Sequence, residues 1–166
     1  SNLDLYYKRI YSKTASLFET STISAGIIAE AENSLKEYLQ QFGYELGIAF
    51  QIIDDVFDFT SNQENLGKPV GGDLRLGIIT LPAILYFEKN KGSPLVKEFF
   101  RYHCNPPMEI LEELILNIRN SDSIDLSLEK ANLHIDFCLK ALHQFPVSSE
   151  RDALEELACF VTPRSV

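Results

Sequence analysis

Apolar residues recur every three or four positions along most of this chain, and such spacing predicts helices. The longest regular run lies between Ser34 and Phe59, where leucine, phenylalanine, isoleucine and valine keep that interval and predict one long amphipathic helix. We find no convincing alternation of apolar and polar residues of the kind that marks a strand, and no internal repeat. The pattern therefore predicts an all-α fold.

Prolines, glycines and capping residues divide the remaining sequence into shorter helices. We expect one helix up to about Phe18, a Thr/Ser-rich junction, and a second helix ending near Glu32, with Asn33 or Ser34 capping the long helix. Five further helices are predicted after the long one. They begin near Thr80, Ser93, Pro106, Ser123 and Ser148.

Two features interrupt this regular pattern. Gly43 and Gly47 lie one turn apart inside the long helix, where each glycine costs roughly 1 kcal/mol relative to alanine. We interpret them as the place where a neighbouring helix approaches closely. After Phe59 the segment "TSNQENLGKPVGGDLRLG" forms the longest predicted loop, and a loop of this length in a compact helical domain is usually functional or disordered.

Composition and charge limit the classes of partner. The 166 residues are 45% hydrophobic and 23% charged, which is ordinary for one soluble domain, and we expect a single domain over 1–166. The net charge of −9 argues against general binding to nucleic acid or an anionic membrane, because those partners need a basic surface. A phosphate-bearing ligand would therefore need metal ions as intermediaries.

Cysteines and termini add little to this picture. Cys104, Cys138 and Cys159 are odd in number and widely spaced, which fits neither a disulfide framework nor a zinc site. No apolar stretch approaches the roughly 20 residues of a membrane span, and the start has no signal-peptide pattern, so we expect a soluble chain with no transmembrane segment. Ser1 and Asn2 are typical of a cleaved expression tag, so native targeting information could have been removed.

Candidate chemistry centres on the acidic segment "IIDDVFDFT". On a helix, Asp54 and Asp55 lie four and three residues before Asp58, so all three carboxylates follow one stripe, together with Gln51. Like charges at this spacing repel, so a positive group should compensate them. Mg²⁺ prefers one or two carboxylates, several waters and a substrate phosphate to a complete protein cage. The segment therefore predicts a Mg²⁺ half-site.

An alternative interpretation is that the three aspartates form a solvated helix face. Their neighbours argue against it, because the flanking isoleucine, valine and phenylalanine side chains leave little of this helix free to face water. We therefore expect the acidic stripe to line a polar cleft.

Two further segments could contribute to the same site. Lys68 and Asp73 lie among glycines in the long loop, where the backbone can come close to a ligand and the lysine can reach phosphate oxygens. Taken alone, such a loop is more often a flexible surface connection. Lys13 and Thr14, near the end of the first helix, offer an ammonium and a hydroxyl for another phosphate oxygen.

Taken in order, these segments resemble a known family. "YSKTASLF", "FQIIDDVFDFT" and "LGKPVGGDLRLGIITLPAIL" are similar to the second aspartate-rich region and flanking segments of the trans-polyprenyl diphosphate synthases, in particular the long-chain type that makes quinone side chains. The resemblance covers essentially the whole chain. It implies a bundle of mostly antiparallel helices around a deep cavity, with two aspartate-rich motifs facing each other across its mouth.

The resemblance also implies site residues and a reaction. Asp54, Asp55 and Asp58 would hold Mg²⁺, with Asp54 as a direct ligand. In the family an allylic diphosphate ionises, isopentenyl diphosphate attacks the carbocation, and loss of a proton completes a five-carbon extension. The residues implied in binding the diphosphate are Lys13, Thr14, Gln51, Lys68 and Asp73.

The chain also departs from the family pattern. The first aspartate-rich motif, its paired arginines and an N-terminal Gly-Lys segment are not found, so the chain resembles the C-terminal half of a synthase and we expect it to be inactive alone. Ile78 stands where many short-chain relatives have lysine, which fits a long-chain subtype. Side chains that would pack on the missing half should be exposed and favour a homodimer. These are Leu5, Tyr6, Leu17, Phe18 and parts of "AFQII".

Other functions remain open at this point. A catalytically silent regulatory subunit of a prenyl synthase would keep the fold, although its aspartate motif would often be eroded. A terpene cyclase is disfavoured, because its second site usually mixes Asn, Ser or Thr with Glu. A ligand-free helical interaction module would make the aspartates and lysines a coincidence. Product length is undetermined, and the compartment stays open between the cytoplasm and the mitochondrial matrix.

Overall fold

The computed structural model describes residues 2–61 and 70–162. Within these ranges it contains nine α-helices and one π-helical turn and no strand, so the predicted all-α fold is confirmed. The elements are α1 (Asn2–Ile10), the π-helical turn (Tyr11–Ala15), α2 (Ser16–Ile28), α3 (Asn33–Thr60), α4 (Gly72–Arg75), α5 (Leu81–Lys89), α6 (Pro94–Arg101), α7 (Met108–Arg119), α8 (Ser123–Leu142) and α9 (Ser149–Val161).

The N-terminal region differs from the prediction of two helices separated at a Thr/Ser-rich junction. It is helical without a break from Asn2 to Ile28. The hydroxyls of Ser21 and Thr22 donate hydrogen bonds to the carbonyl oxygens of the preceding turn, at 2.7 Å and 3.2 Å, so these residues are satisfied inside a helix. The helix ends earlier than predicted, and Glu30 takes a left-handed conformation with φ of 52° soon afterwards.

The long helix is confirmed as α3, and so is the interpretation of its glycines. A methyl group placed on Gly47 would lie 2.6 Å from the Cα atom of Ala15, and one placed on Gly43 would lie 2.6 Å from the carbonyl oxygen of Phe18. Because no real side chain tolerates such distances, the two glycines allow the backbones of α2 and the π-helical turn to pack directly on α3.

The later helices begin close to the predicted capping residues and prolines. Pro82 lies in the first turn of α5 and Pro94 opens α6, where a missing backbone N–H is not needed. Ser148 caps α9, because its hydroxyl oxygen accepts a hydrogen bond of 3.2 Å from the backbone N–H of Arg151.

The chain folds into two compact units, each with its own apolar core. The first unit contains Leu3–Ile53 and the residues from Glu129 onward, and the second contains Asp54–Leu128 and Asn2. The core of the first unit includes Phe42, Leu46, Ala49, Ile135, Cys138, Ala141, Leu142 and Ala158. The core of the second includes Val56, Phe59, Leu74, Phe87, Phe99, Leu111, Leu114 and Ile118. A single domain over the whole chain stays a prediction.

Exposure of apolar side chains agrees only in part with the expectation for a truncated synthase. Leu5 and Leu17 are exposed, with Leu17 at 71%. The prediction was wrong for Tyr6, whose ring lies on the packed side of α1 and is buried, and Phe18 is only partly exposed. Among the described residues, no helix combines the length and the apolar character that crossing a bilayer requires.

Candidate functional site

Lys13 and Thr14 lie in the π-helical turn of the first unit. Such a turn inserts an extra residue into a helix and so changes the direction of the side chains around it, and these turns often occur at functional sites. The Thr14 hydroxyl donates a hydrogen bond of 2.6 Å to the Oε1 atom of Gln51, and Gln51 is only 2% exposed. Lys13 lies at the surface. The structure therefore brings together Thr14 and Gln51 from distant parts of the sequence.

Removal of the Thr14 hydroxyl should destabilise the chain. Thr14→Val keeps the shape but takes a donor away from a buried amide oxygen, so we expect the free energy of unfolding to fall by about 1–3 kcal/mol. Thr14→Ser keeps the hydroxyl and serves as the control. Urea unfolding measures the stability of both variants. Equal stability of the two variants would show that this hydrogen bond contributes nothing.

The three aspartates lie in the last two turns of α3, within the second unit, and differ in exposure. Asp55 is 3% exposed, Asp58 is partly buried and Asp54 faces solvent. The alternative of a solvated helix face is therefore wrong for Asp55, whose carboxylate is enclosed. Asp54 is the member of the trio that a hydrated ion can approach most easily from solvent.

Asp58 holds residues 71–73, at the start of α4, in place. Its two carboxylate oxygens accept hydrogen bonds from the backbone N–H groups of Gly72, at 2.9 Å, and Asp73, at 3.1 Å. The backbone N–H of Gly71 donates to the Asp58 carbonyl oxygen at 2.8 Å. Gly71 has φ of 70°, a conformation that favours glycine. Residues 71–73 thus wrap around the end of α3, and each Asp58 oxygen keeps a further lone pair for another ligand.

The surroundings of Asp58 shift its pKa upward. Burial is the main cause, and the negative charges of Asp73 and Asp54 add to it, whereas the backbone N–H groups of Asp73 and Gly72 act in the opposite direction. A raised pKa means that the surroundings disfavour the negative charge of the Asp58 carboxylate. A nearby cation would therefore stabilise the ionised form of Asp58.

This shift predicts a pH dependence of stability. The pKa of Asp58 in the folded state lies above the unfolded value of about 3.9, so the folded state binds more protons between those two values. The contribution of Asp58 to the free energy of unfolding should therefore fall as pH rises through that window. Urea unfolding of the unmodified chain and of Asp58→Ala from about pH 3 to about pH 7 measures the difference. A stability difference that instead grows in favour of the unmodified chain with rising pH would contradict this assignment.

The donor set fits a partial metal site. Within residues 2–61 and 70–162, no group of three or more His, Cys, Asp or Glu side chains is arranged to hold a metal ion. Mg²⁺ does not require such a group, since one or two carboxylates, waters and a ligand phosphate suffice. The exposed Asp54 and the partly buried Asp58 can supply those hard oxygen donors from neighbouring turns of one helix.

The remaining predicted residues come from the segment after α3, in which Asp73 lies in α4. Asp73 is partly buried, and its own negative charge acts on Asp58. Because like charges repel, the Asp73 carboxylate does not attract a diphosphate directly. Lys68, predicted to contact phosphate oxygens, lies outside the described residues. Ile78 is exposed.

Comparison with known proteins gives consistent matches. Residues 1–115 match the family model described as polyprenyl synthetase. The chain is 40% identical over 159 residues to solanesyl diphosphate synthase 2, chloroplastic, of Arabidopsis thaliana, covering 95% of this chain and 37% of that protein.

Solved structures agree with the sequence matches. Heptaprenyl diphosphate synthase from Staphylococcus aureus superposes with a TM-score of 0.92 at 33% identity, over 100% of this chain and 52% of that one. Polyprenyl synthase from Caulobacter crescentus, crystallised in complex with calcium and isoprenyl diphosphate, superposes with a TM-score of 0.83 at 30% identity, over 98% of this chain and 50% of that one. The chain thus spans about half the length, or less, of the relatives it matches.

Proposed function

Because the chain belongs to the polyprenyl synthetase family, we propose that it is the C-terminal portion of a long-chain polyprenyl diphosphate synthase, forming one domain over residues 1–166. The parent enzyme condenses isopentenyl diphosphate with an allylic diphosphate, which releases inorganic diphosphate and forms a polyprenyl diphosphate, whose polyprenyl group becomes a quinone side chain. The observation that carries this proposal is that the family match over residues 1–115 contains every candidate site residue.

We assign the metal site to the end of α3. Asp54 and Asp58, together with the buried Asp55, would hold Mg²⁺, and when bound this ion supplies positive charge that stabilises the departing diphosphate. The carboxylates of Asp54 and Asp58 provide the accessible oxygens. The hydrogen bonds from Gly72 and Asp73 keep Asp58 in place, which limits the reorganisation needed on binding.

The family resemblance also implies roles in diphosphate binding for positive and polar residues. Lys13 and Lys68 would neutralise phosphate oxygens as point charges. Thr14 fixes the amide of Gln51 by its hydrogen bond of 2.6 Å, so that Gln51 can orient the diphosphate. Asp73 contributes through its backbone N–H, which donates a hydrogen bond to the Asp58 carboxylate. Support for such a ligand pair comes from the Caulobacter relative, which was crystallised with calcium and isoprenyl diphosphate.

A chimera tests this function. Residues 1–166 would replace the matching half of the Staphylococcus aureus heptaprenyl diphosphate synthase, and prenyl elongation would be measured with allylic and isopentenyl diphosphates and Mg²⁺. We expect elongation, and a loss of about 100-fold or more on Asp54→Ala. Asp125→Ala removes the same charge from an exposed position on α8 and should leave the rate unchanged.

The alternative of a catalytically silent regulatory subunit gives a different result. A chimera that folds and yet produces no elongation would favour that alternative and contradict the proposed enzyme. The isolated 166-residue chain is expected to produce no elongation in either case, because the groups that bind isopentenyl diphosphate in the family are not present in it.

Self-association of the isolated chain is also expected. Leu5, Leu17 and Ile28 expose large apolar surfaces on the N-terminal helices, and burial of such surface stabilises a homodimer. Sedimentation velocity at micromolar concentration should show a species of twice the monomer mass, and Leu17→Lys should shift it toward monomer. A purely monomeric chain across that range would contradict the expectation.

A further inference from the structure

A cavity in the second unit shares no residue with the aspartate site. It lies at α5 and α6, beside Asn2 at the start of α1, and has a volume of about 320 Å³. Its apolar walls come from Ile84, Phe87, Val96 and Phe100. The first three side chains are buried, whereas Phe100 is exposed at the mouth. The cavity is therefore a pocket with an apolar interior that opens to solvent.

Aromatic packing fixes the shape of this pocket. The ring of Phe87 packs against that of Phe99, with centroids 5.3 Å apart, and edge-on against that of Phe100, at 5.2 Å. Such ring pairs stabilise each other beyond the area they bury. Pockets of this size with apolar walls and a few polar groups commonly bind small molecules.

The rim of the pocket is positive, in contrast to the chain as a whole. Lys91 and Lys97 lie at the mouth with Glu88, so the rim carries net charge +1 on a chain of net charge −9. Within the described residues neither lysine has an ion-pair partner. Two unpaired ammonium groups beside an apolar interior complement a ligand with an anionic head and an apolar tail.

We propose that this pocket binds a small anionic amphiphile: an apolar chain of about ten carbons lies along Phe87 and Phe100, and a phosphate or similar head group lies between Lys91 and Lys97. The volume sets the length, since 320 Å³ accommodates about ten groups of roughly 30 Å³ each. The ligand is a free molecule and not a membrane lipid, because the acidic surface of the chain repels an anionic bilayer.

Calorimetric titration of the 166-residue chain tests the proposal, with decyl phosphate below its micellar concentration as the probe. EDTA in the buffer prevents metal-dependent binding at the aspartate site. We expect saturable binding of one decyl phosphate per chain, and much weaker binding of 1-decanol and of inorganic phosphate, because each lacks one half of the ligand.

Charge variants localise the binding. Lys91→Glu with Lys97→Glu should weaken binding of decyl phosphate at least tenfold and leave 1-decanol unaffected. The matched control, Lys8→Glu with Lys140→Glu, makes the same change of charge at exposed positions in the first unit and should bind normally. Phe100→Gln, at the exposed wall, should weaken the binding of decyl phosphate and of 1-decanol alike. Circular dichroism establishes that each variant is folded.

Three calorimetric results would overturn the proposal. They are no binding of decyl phosphate to the unmodified chain, equal loss of binding in both double lysine variants, and binding of inorganic phosphate as tight as that of decyl phosphate. The proposal would also be contradicted if the chain sedimented together with vesicles of phosphatidylcholine and phosphatidylglycerol. That result would identify a membrane surface as the ligand.

Discussion

Gly43→Ala is expected to lower the free energy of unfolding by about 2–3 kcal/mol, although alanine is the better helix former. A methyl group on Gly43 would lie 2.2 Å from the Thr22 hydroxyl, 2.6 Å from the Phe18 carbonyl oxygen and 2.8 Å from the Cα atom of Glu19. Two of these three atoms belong to the backbone, which cannot rotate away. The two helices must therefore separate, and the packing between them is lost.

Gly92→Ala is the matched control for this prediction. It adds the same methyl group where no atom lies within 4 Å, so we expect a change within about 0.5 kcal/mol. Urea unfolding followed by circular dichroism measures both variants. If Gly43→Ala were as stable as Gly92→Ala, or more stable than the unmodified chain, the close approach of α2 to α3 would be excluded.

Phe99→Ala is expected to have the largest effect of any substitution considered, a loss of about 3–5 kcal/mol. Phe99 is 0% exposed in the core of the second unit, and its ring packs against Phe87 and Phe100 at centroid distances of 5.3 Å and 5.4 Å. Truncation removes this apolar packing and leaves a cavity that the surrounding helices cannot fill without moving.

Phe160→Ala is the corresponding control, because the Phe160 ring is 85% exposed and its loss should cost less than about 0.5 kcal/mol. The same urea experiment compares the two variants. A similar small loss in both would mean that the ring of Phe99 is not enclosed, and would remove the basis for a rigid wall in the pocket at α5 and α6.

Periodicity and local chemistry predicted much of the fold. The long helix α3 followed from its regular apolar spacing, and the close approach of a neighbour followed from the cost of Gly43 and Gly47 in a helix interior. The cap at Ser148 and the proline start of α5 were also predictable, because both depend on groups within one turn of the helix terminus.

Features that depend on residues distant in the sequence could not be predicted in the same way. The π-helical turn at Tyr11–Ala15 has no local marker in the sequence, because one inserted residue leaves the apolar pattern nearly unchanged. The bonds from Gly72 and Asp73 to Asp58 join residues 14 and 15 positions apart. Beside these bonds, Gly71 takes a left-handed conformation. Glycine permits this conformation, but its presence in the sequence does not indicate which residue the segment contacts.

The candidate site followed from the residue types more than from their geometry. The aspartate trio predicted a metal half-site but gave no indication that Asp55 is enclosed while Asp54 is exposed. Burial of one member of a charged trio depends on which helices cover that side of α3, and this is a property of the packed structure. The hydrogen bond from Thr14 to Gln51 likewise joins residues 37 positions apart.

Calorimetric titration of the chain with inorganic diphosphate, in the presence and absence of Mg²⁺, tests the central claim most directly. The aspartates at the end of α3 are predicted to bind diphosphate only when Mg²⁺ is present, with binding lost in Asp54→Ala and kept in Asp125→Ala. Binding that persists without Mg²⁺, or that is unchanged by Asp54→Ala, would contradict the claim.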